Sequence, residues 1–126
     1  MEQEEFEKLV NEAVAGLPED IRTMMKNVAI TIDEIPNQEQ LRKTGVRRGD
    51  FLLGLYEGVP QTSWGKGFGN HLPDKITIFE KSIEQFAQTP EEIKKLVKNV
   101  VWHEIAHHFG IDEKAVRKLE QKWKRV

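Results

Sequence analysis

The chain has no cysteine among its 126 residues, which excludes disulfide staples and thiolate metal ligands alike. Long apolar runs are also missing: hydrophobic residues make up 38%, mean hydropathy is −0.58, and no stretch approaches the ~20 residues that cross a bilayer. Neither sign of charge is in excess, since 19 Lys and Arg face 21 Asp and Glu, so a net charge of −2 exerts no global pull toward nucleic acid or an anionic membrane. The opening Met-Glu-Gln-Glu-Glu-Phe is acidic and lacks the basic and apolar regions of a secretory leader, which makes cytoplasmic residence the expectation. The glycine-rich run Gly65 to Gly69 lacks P-loop spacing and no helix pattern follows it, arguing against a phosphate cradle. A chain of this length is expected to form one domain, residues 1–126, with a modest core.

What is present is concentrated in His103-Glu104-Ile105-Ala106-His107-His108-Phe109-Gly110-Ile111-Asp112-Glu113. Residues four apart on a helix stand on one face about 5–6 Å apart at Cβ, so His103 and His107 can converge on one ion. Glu104 lies roughly 100° further round, where a carboxylate reaches a water beside the metal instead of becoming a ligand. Zinc lowers the pKa of such a water to about 7 and polarises a carbonyl, so a general base at Glu104 completes what amide hydrolysis requires. The competing reading is a pair of hydrogen-bonded core histidines.

The flanking sequence supports the metal. Thr89-Pro90-Glu91-Glu92 reads as an N-cap, a first-position proline and a capping-box glutamate, starting a helix that should run from about Pro90 to Phe109. Leu96, Val100, His103 and His107 follow at steps of four, three and four, so the imidazoles extend its core-facing stripe, where unpartnered they would carry a desolvation cost. Gly110 can adopt the left-handed conformation that ends a helix and turns the chain back, so a third ligand is expected just beyond it. Glu113 stands ten positions after His103, where H-E-x-x-H-x-x-G-x-x-H places its last ligand, here with an acid in place of histidine. Carboxylate oxygen is an acceptable zinc ligand. Asp112 is the alternative, although it also suits the N-cap of a last helix with the stripe Val116, Leu119 and Trp123. Tyr56 and His71 are candidate donors to a developing oxyanion, weighed against plain core or turn roles. His108 is one step off the ligand face and reads as a surface or supporting residue.

The segment from about Phe51 to Leu119 resembles the small bacterial family of predicted zincin-like metallopeptidases. The blocks Leu53-Gly54-Leu55-Tyr56-Glu57-Gly58-Val59-Pro60, Leu72-Pro73-Asp74-Lys75-Ile76-Thr77-Ile78-Phe79 and His103 to Glu113 carry the resemblance. It implies a minimal zincin fold and metal sites at His103 and His107, with Glu104 as catalytic acid and base, and says little about substrate; the expectation drawn from the motif as a whole is one Zn2+ per chain and a peptide or protein substrate. No methionine follows the motif, so the Met-turn of the metzincins is missing. The pattern is also similar to that of the bacterial rRNA-maturation endoribonucleases, which share the zero, four and ten spacing. Glu104 stands where that family uses no acid, which disfavours it. A third alternative is a catalytically weak or inactive module that binds metal or peptide.

For the remainder, Phe6, Leu9, Val10, Ala13, Val14 and Leu17 predict an amphipathic helix ending near Gly16 and packing on the sheet. A short helix is expected over Glu19 to Met25, and strands over Val28 to Ile32, Phe51 to Tyr56 and Lys75 to Phe79. Asn37 to Arg48 reads as polar and irregular with a helical turn at most, and Gln61 to Asp74 as a long connector. Lys114, Arg117, Lys118, Lys122, Lys124 and Arg125 make the last helix basic, read as a solvated face in preference to a nucleic-acid patch. The sum is an α+β architecture, with a small mixed or antiparallel sheet of about three to four strands packed on an N-terminal helix, the motif helix and a C-terminal helix. One edge strand is expected to line the cleft and pair with extended peptide.

Overall fold

A computed structural model describes residues 1–45, 51–58 and 73–110, with Lys114 and Lys118 as single positions beyond them. The elements are α1 (Gln3–Ala15), α2 (Glu19–Met24), β1 (Val28–Asp33), α3 (Gln38–Thr44), β2 (Gly54–Glu57), β3 (Asp74–Phe79), α4 (Glu80–Phe86) and α5 (Pro90–His108). This is the expected α+β fold. Among the described residues three strands form a mixed sheet in the order β1-β3-β2, with β1 parallel and β2 antiparallel to β3. Flanked on both sides, β3 buries Ile76, Thr77, Ile78 and Phe79 completely.

Because side chains alternate along a strand, the register Ile30↔Ile76↔Tyr56 and Ile32↔Ile78↔Gly54 puts these six residues on one face of the sheet. Gly54 on that face meets α5, and a Cβ built on it would overlap Cγ1 of Val100. The core between sheet and helices joins Ile76, Ile78, Phe6, Val10, Val97 and Ile105. The α1 stripe is buried as predicted, but its chief partner is α5 instead of the sheet, with Lys94 and Glu12 paired at 3.4 Å on the rim.

Two helices differ from the sequence reading. Over Gln38–Thr44 the polar segment is a capped helix: Asn37 Oδ1 accepts from Gln40 N at 2.7 Å, and Gln40 Oε1 accepts from Asn37 N at 2.9 Å. This reciprocal cap satisfies two otherwise orphaned donors, which offsets a sequence with little apolar periodicity. Gly45, at φ 68°, ends the helix. The second, α4, starts directly from the end of β3 with no intervening turn signal.

The predicted start of α5 holds with one change. Thr89 Oγ1 accepts from Glu92 N at 3.2 Å, whereas Glu92 Oε2 accepts from Gln88 N at 3.4 Å in place of the cap residue's own N–H. Of the connector read from Gln61 to Asp74, residues 61–72 lie outside the described residues and Asp74 already belongs to β3; the stripe Val116, Leu119 and Trp123 lies outside them too. Lys114 and Lys118 are helical and exposed, in keeping with a solvated basic face. Among the described residues no helix is long and apolar enough to cross a membrane.

Candidate active site

The site is built on the last two turns of α5. Ile93, Val97, Val101 and Ile105, at steps of four, are fully buried and fix the helix in the core. The row Leu96, Val100, His103 and His107 is the shoulder of that buried stripe: Val100 is buried, Leu96 and His103 are partly buried, and His107 is exposed. The imidazoles therefore border the core instead of continuing into it, because Glu104 and Val100 take the positions nearest the sheet.

His103 and His107 lie side by side, with ring centroids 6.4 Å apart and planes inclined by 27°. Two neutral-capable imidazoles with carboxylate nearby are the donor chemistry of a zinc site. Among the described residues no third His, Asp or Glu completes a ligand group with them. Glu113, Asp112 and His71 lie outside the described residues.

Glu104 faces β2, and Tyr56 N donates to its Oε2 at 3.3 Å. Burial raises its pKa above the ordinary carboxylate value, while the Tyr56 N–H and the neighbouring His107 and His103 pull it back.

Tyr56 is anchored at its other end. Its hydroxyl donates to Asp74 Oδ2 at 2.7 Å, and its ring stacks on His108 with centroids 3.9 Å apart and planes within 12°. Burial first, then the hydrogen bond to Asp74 and its charge, hold the phenol well above its ordinary pKa. The hydroxyl weighed as a candidate oxyanion donor is engaged by Asp74, and what Tyr56 presents to Glu104 is its backbone N–H. The sequence assigns no role to Asp74 or Gly54, and reads His108 only as a surface or supporting residue without naming what it supports. The signals were a glycine inside an apolar strand pattern and an acid at the start of the next strand.

Beside Glu104 opens a shallow cleft of about 440 Å3, lined by the apolar side chains of Phe51, Leu53, Leu96 and Val100 together with His103 and Glu104. Phe51 is half exposed at the mouth and packs edge-on against Phe86 at 5.5 Å.

A helix bearing H-E-x-x-H, an adjoining edge strand and a small sheet define a chain of the zincin class. A family model described as zincin-like metallopeptidase matches residues 25–123, and the chain belongs to that family. Among solved structures, a conserved hypothetical protein (TTHA0227) from Thermo thermophilus is similar at a TM-score of 0.56 and 19% identity, covering 86% of this chain and 94% of that one. At that identity the likeness bears on the fold alone. No curated protein matches.

Proposed function

We propose that the chain is a zinc-dependent peptidase, with His103, His107 and Glu113 as ligands, Asp112 being the alternative third, and Glu104 as general base. The observation that carries this reading is the placement of Glu104, one residue from His103, against strand β2 and lining an open cleft. Zinc, when bound, supplies Lewis acidity that polarises the scissile carbonyl and acidifies a water.

The chain's own residues do the rest. Glu104 takes a proton from the attacking water as its oxygen forms a bond to the carbonyl carbon, then returns that proton to the amine nitrogen as the C–N bond breaks. The apolar wall of Phe51, Leu53, Leu96 and Val100 suits an uncharged side chain of a peptide or protein substrate next to the bond cleaved. Neither a membrane nor a nucleic-acid partner is part of this proposal, and it takes the cytoplasm as the place of action.

The test joins metal content and turnover. Chelator-treated protein equilibrated with stoichiometric zinc is expected to hold one ion per chain, lost in His103→Ala. A peptide library should then be cleaved by the wild type and not by zinc-loaded Glu104→Gln. Zinc uptake with no cleavage by either protein would refute the peptidase and leave a metal-binding module, while no zinc uptake would remove the metal reading altogether.

A further inference from the structure

Tyr56 is gripped twice by α5, at residues one helical turn apart. Glu104 accepts from its backbone N–H at 3.3 Å, and His108, four residues on, stacks on its ring at 3.9 Å. Residues spaced by four lie on one side of a helix, so a single strand residue bridges both. The third attachment is Asp74 on β3, whose Oδ2 accepts from the Tyr56 hydroxyl at 2.7 Å and lies 3.8 Å from His108 Nε2. His108 is itself braced edge-on by Phe109 at 5.1 Å.

The element so held is the one that most needs holding. β2 has four residues, and β3 is its only strand neighbour among the described residues. Short edge strands fray, because few hydrogen bonds oppose the backbone entropy of opening. The Glu104 contact alone, at 3.3 Å and across 48 residues of sequence, is a weak constraint on where the strand lies.

We propose that Tyr56, Asp74 and His108 form a clamp that locks the β2 edge to the last turn of α5 and thereby sets the position of the Tyr56 N–H against the Glu104 carboxylate. The three are positioning residues: they act through β2 and Glu104, not on substrate. Stacking carries the link to α5, and the phenol–carboxylate bond carries the link to β3. The catalytic consequence of the clamp rests on the peptidase reading, whereas its geometry does not.

The test reads the geometry directly. Backbone amide exchange is followed by NMR on the full chain, zinc-loaded and metal-free, comparing the Tyr56 amide with the amide of Thr77 in the central strand. His108→Ala is expected to accelerate exchange at Tyr56 about three- to tenfold, the value of an aromatic pair, with Thr77 unchanged. His108→Phe, which keeps a ring in place, should restore protection. On any peptide the chain cleaves, His108→Ala should lower kcat at constant KM, and His108→Phe should recover it. Unchanged exchange at Tyr56, equal acceleration at Thr77, or failure of phenylalanine to restore protection would each overturn the clamp. Absence of peptide cleavage would count against the peptidase alone, since the exchange result stands without a substrate.

Discussion

Replacing Gly54 with alanine tests whether the approach of β2 to α5 organises the site. In a strand free of close neighbours the change would be favourable by about 0.5–1 kcal/mol, because glycine loses more backbone entropy on folding. Here the added Cβ overlaps Val100 Cγ1 and lies 3.3 Å from the Thr77 carbonyl oxygen and 3.5 Å from Ile78 Cδ1. None of these neighbours is the free end of a long flexible chain, and overpacking of this kind costs about 1–3 kcal/mol. A net loss of about 1–2 kcal/mol is expected, read as a lower urea midpoint at constant m by tryptophan fluorescence, with buried Trp102 as a reporter. Val100→Ala alone should cost about 1–2.5 kcal/mol for its lost methyls. The two together should cost less than their sum by about 1–2 kcal/mol, since alanine at 100 leaves the space that alanine at 54 needs. Wild-type stability in Gly54→Ala, or strict additivity in the double variant, would refute the close approach as the reason for glycine.

Three further outcomes are expected. Glu104→Gln should bind zinc with wild-type stoichiometry while peptide turnover falls by about 10²–10⁴-fold, the range for loss of a general base. Tyr56 is the chain's single tyrosine, so ultraviolet titration reports it alone: its midpoint should lie above the ordinary tyrosine value of about 10 and fall in Asp74→Asn, which removes the neighbouring charge. Glu80 is buried at the start of α4, where burial, then Glu84 and Glu34, raise its pKa. The folded state then binds the proton more tightly than the unfolded state, so this group makes stability fall as pH rises from the unfolded pKa through the folded one. Glu80→Gln should accordingly be more stable than wild type at pH 7, and the gap should close below about pH 4, where both states are protonated. Urea midpoints measured from pH 4 to 8 check this, and a gap that widens on acidification would contradict it.

Local interactions were the legible part of this protein. The α1 stripe, the Thr89-Pro90 start of α5, the left-handed turn at Gly110 with φ 73° and the one-turn spacing of His103 and His107 all follow from contacts within a few residues. The capping box of α3 was equally local, yet it was read as irregular because Asn37 and Gln40 carry no apolar signal. Burial along α5 was the harder quantity. Periodicity gives the direction of a stripe but not its margin: of the row Leu96, Val100, His103 and His107, Val100 is core as read, whereas Leu96 and His103 are only partly buried and His107 is exposed. The Tyr56 contacts lie further from reach: Asp74 is 18 positions away and Glu104 is 48, and both depend on the pairing register of β2 with β3.

That register also bears on how a peptide would meet the site. Both β1 and β2 are edges of the described sheet, but only β2 runs beside Glu104. In an antiparallel pair, residues alternate between bonding inward to the neighbour and facing outward. Leu53 accepts from Phe79 N at 3.0 Å, so the inward set continues through Leu55 and Glu57, and the outward set is Gly54 and Tyr56. The outward N–H of Tyr56 is the one that Glu104 holds. A peptide strand added to β2 would therefore compete with the Glu104 carboxylate for a single donor. The same geometry explains why the strand has to be fixed at Tyr56 in particular: a shift of β2 by one residue would turn the donor toward β3 and put Leu55 or Glu57 beside Glu104.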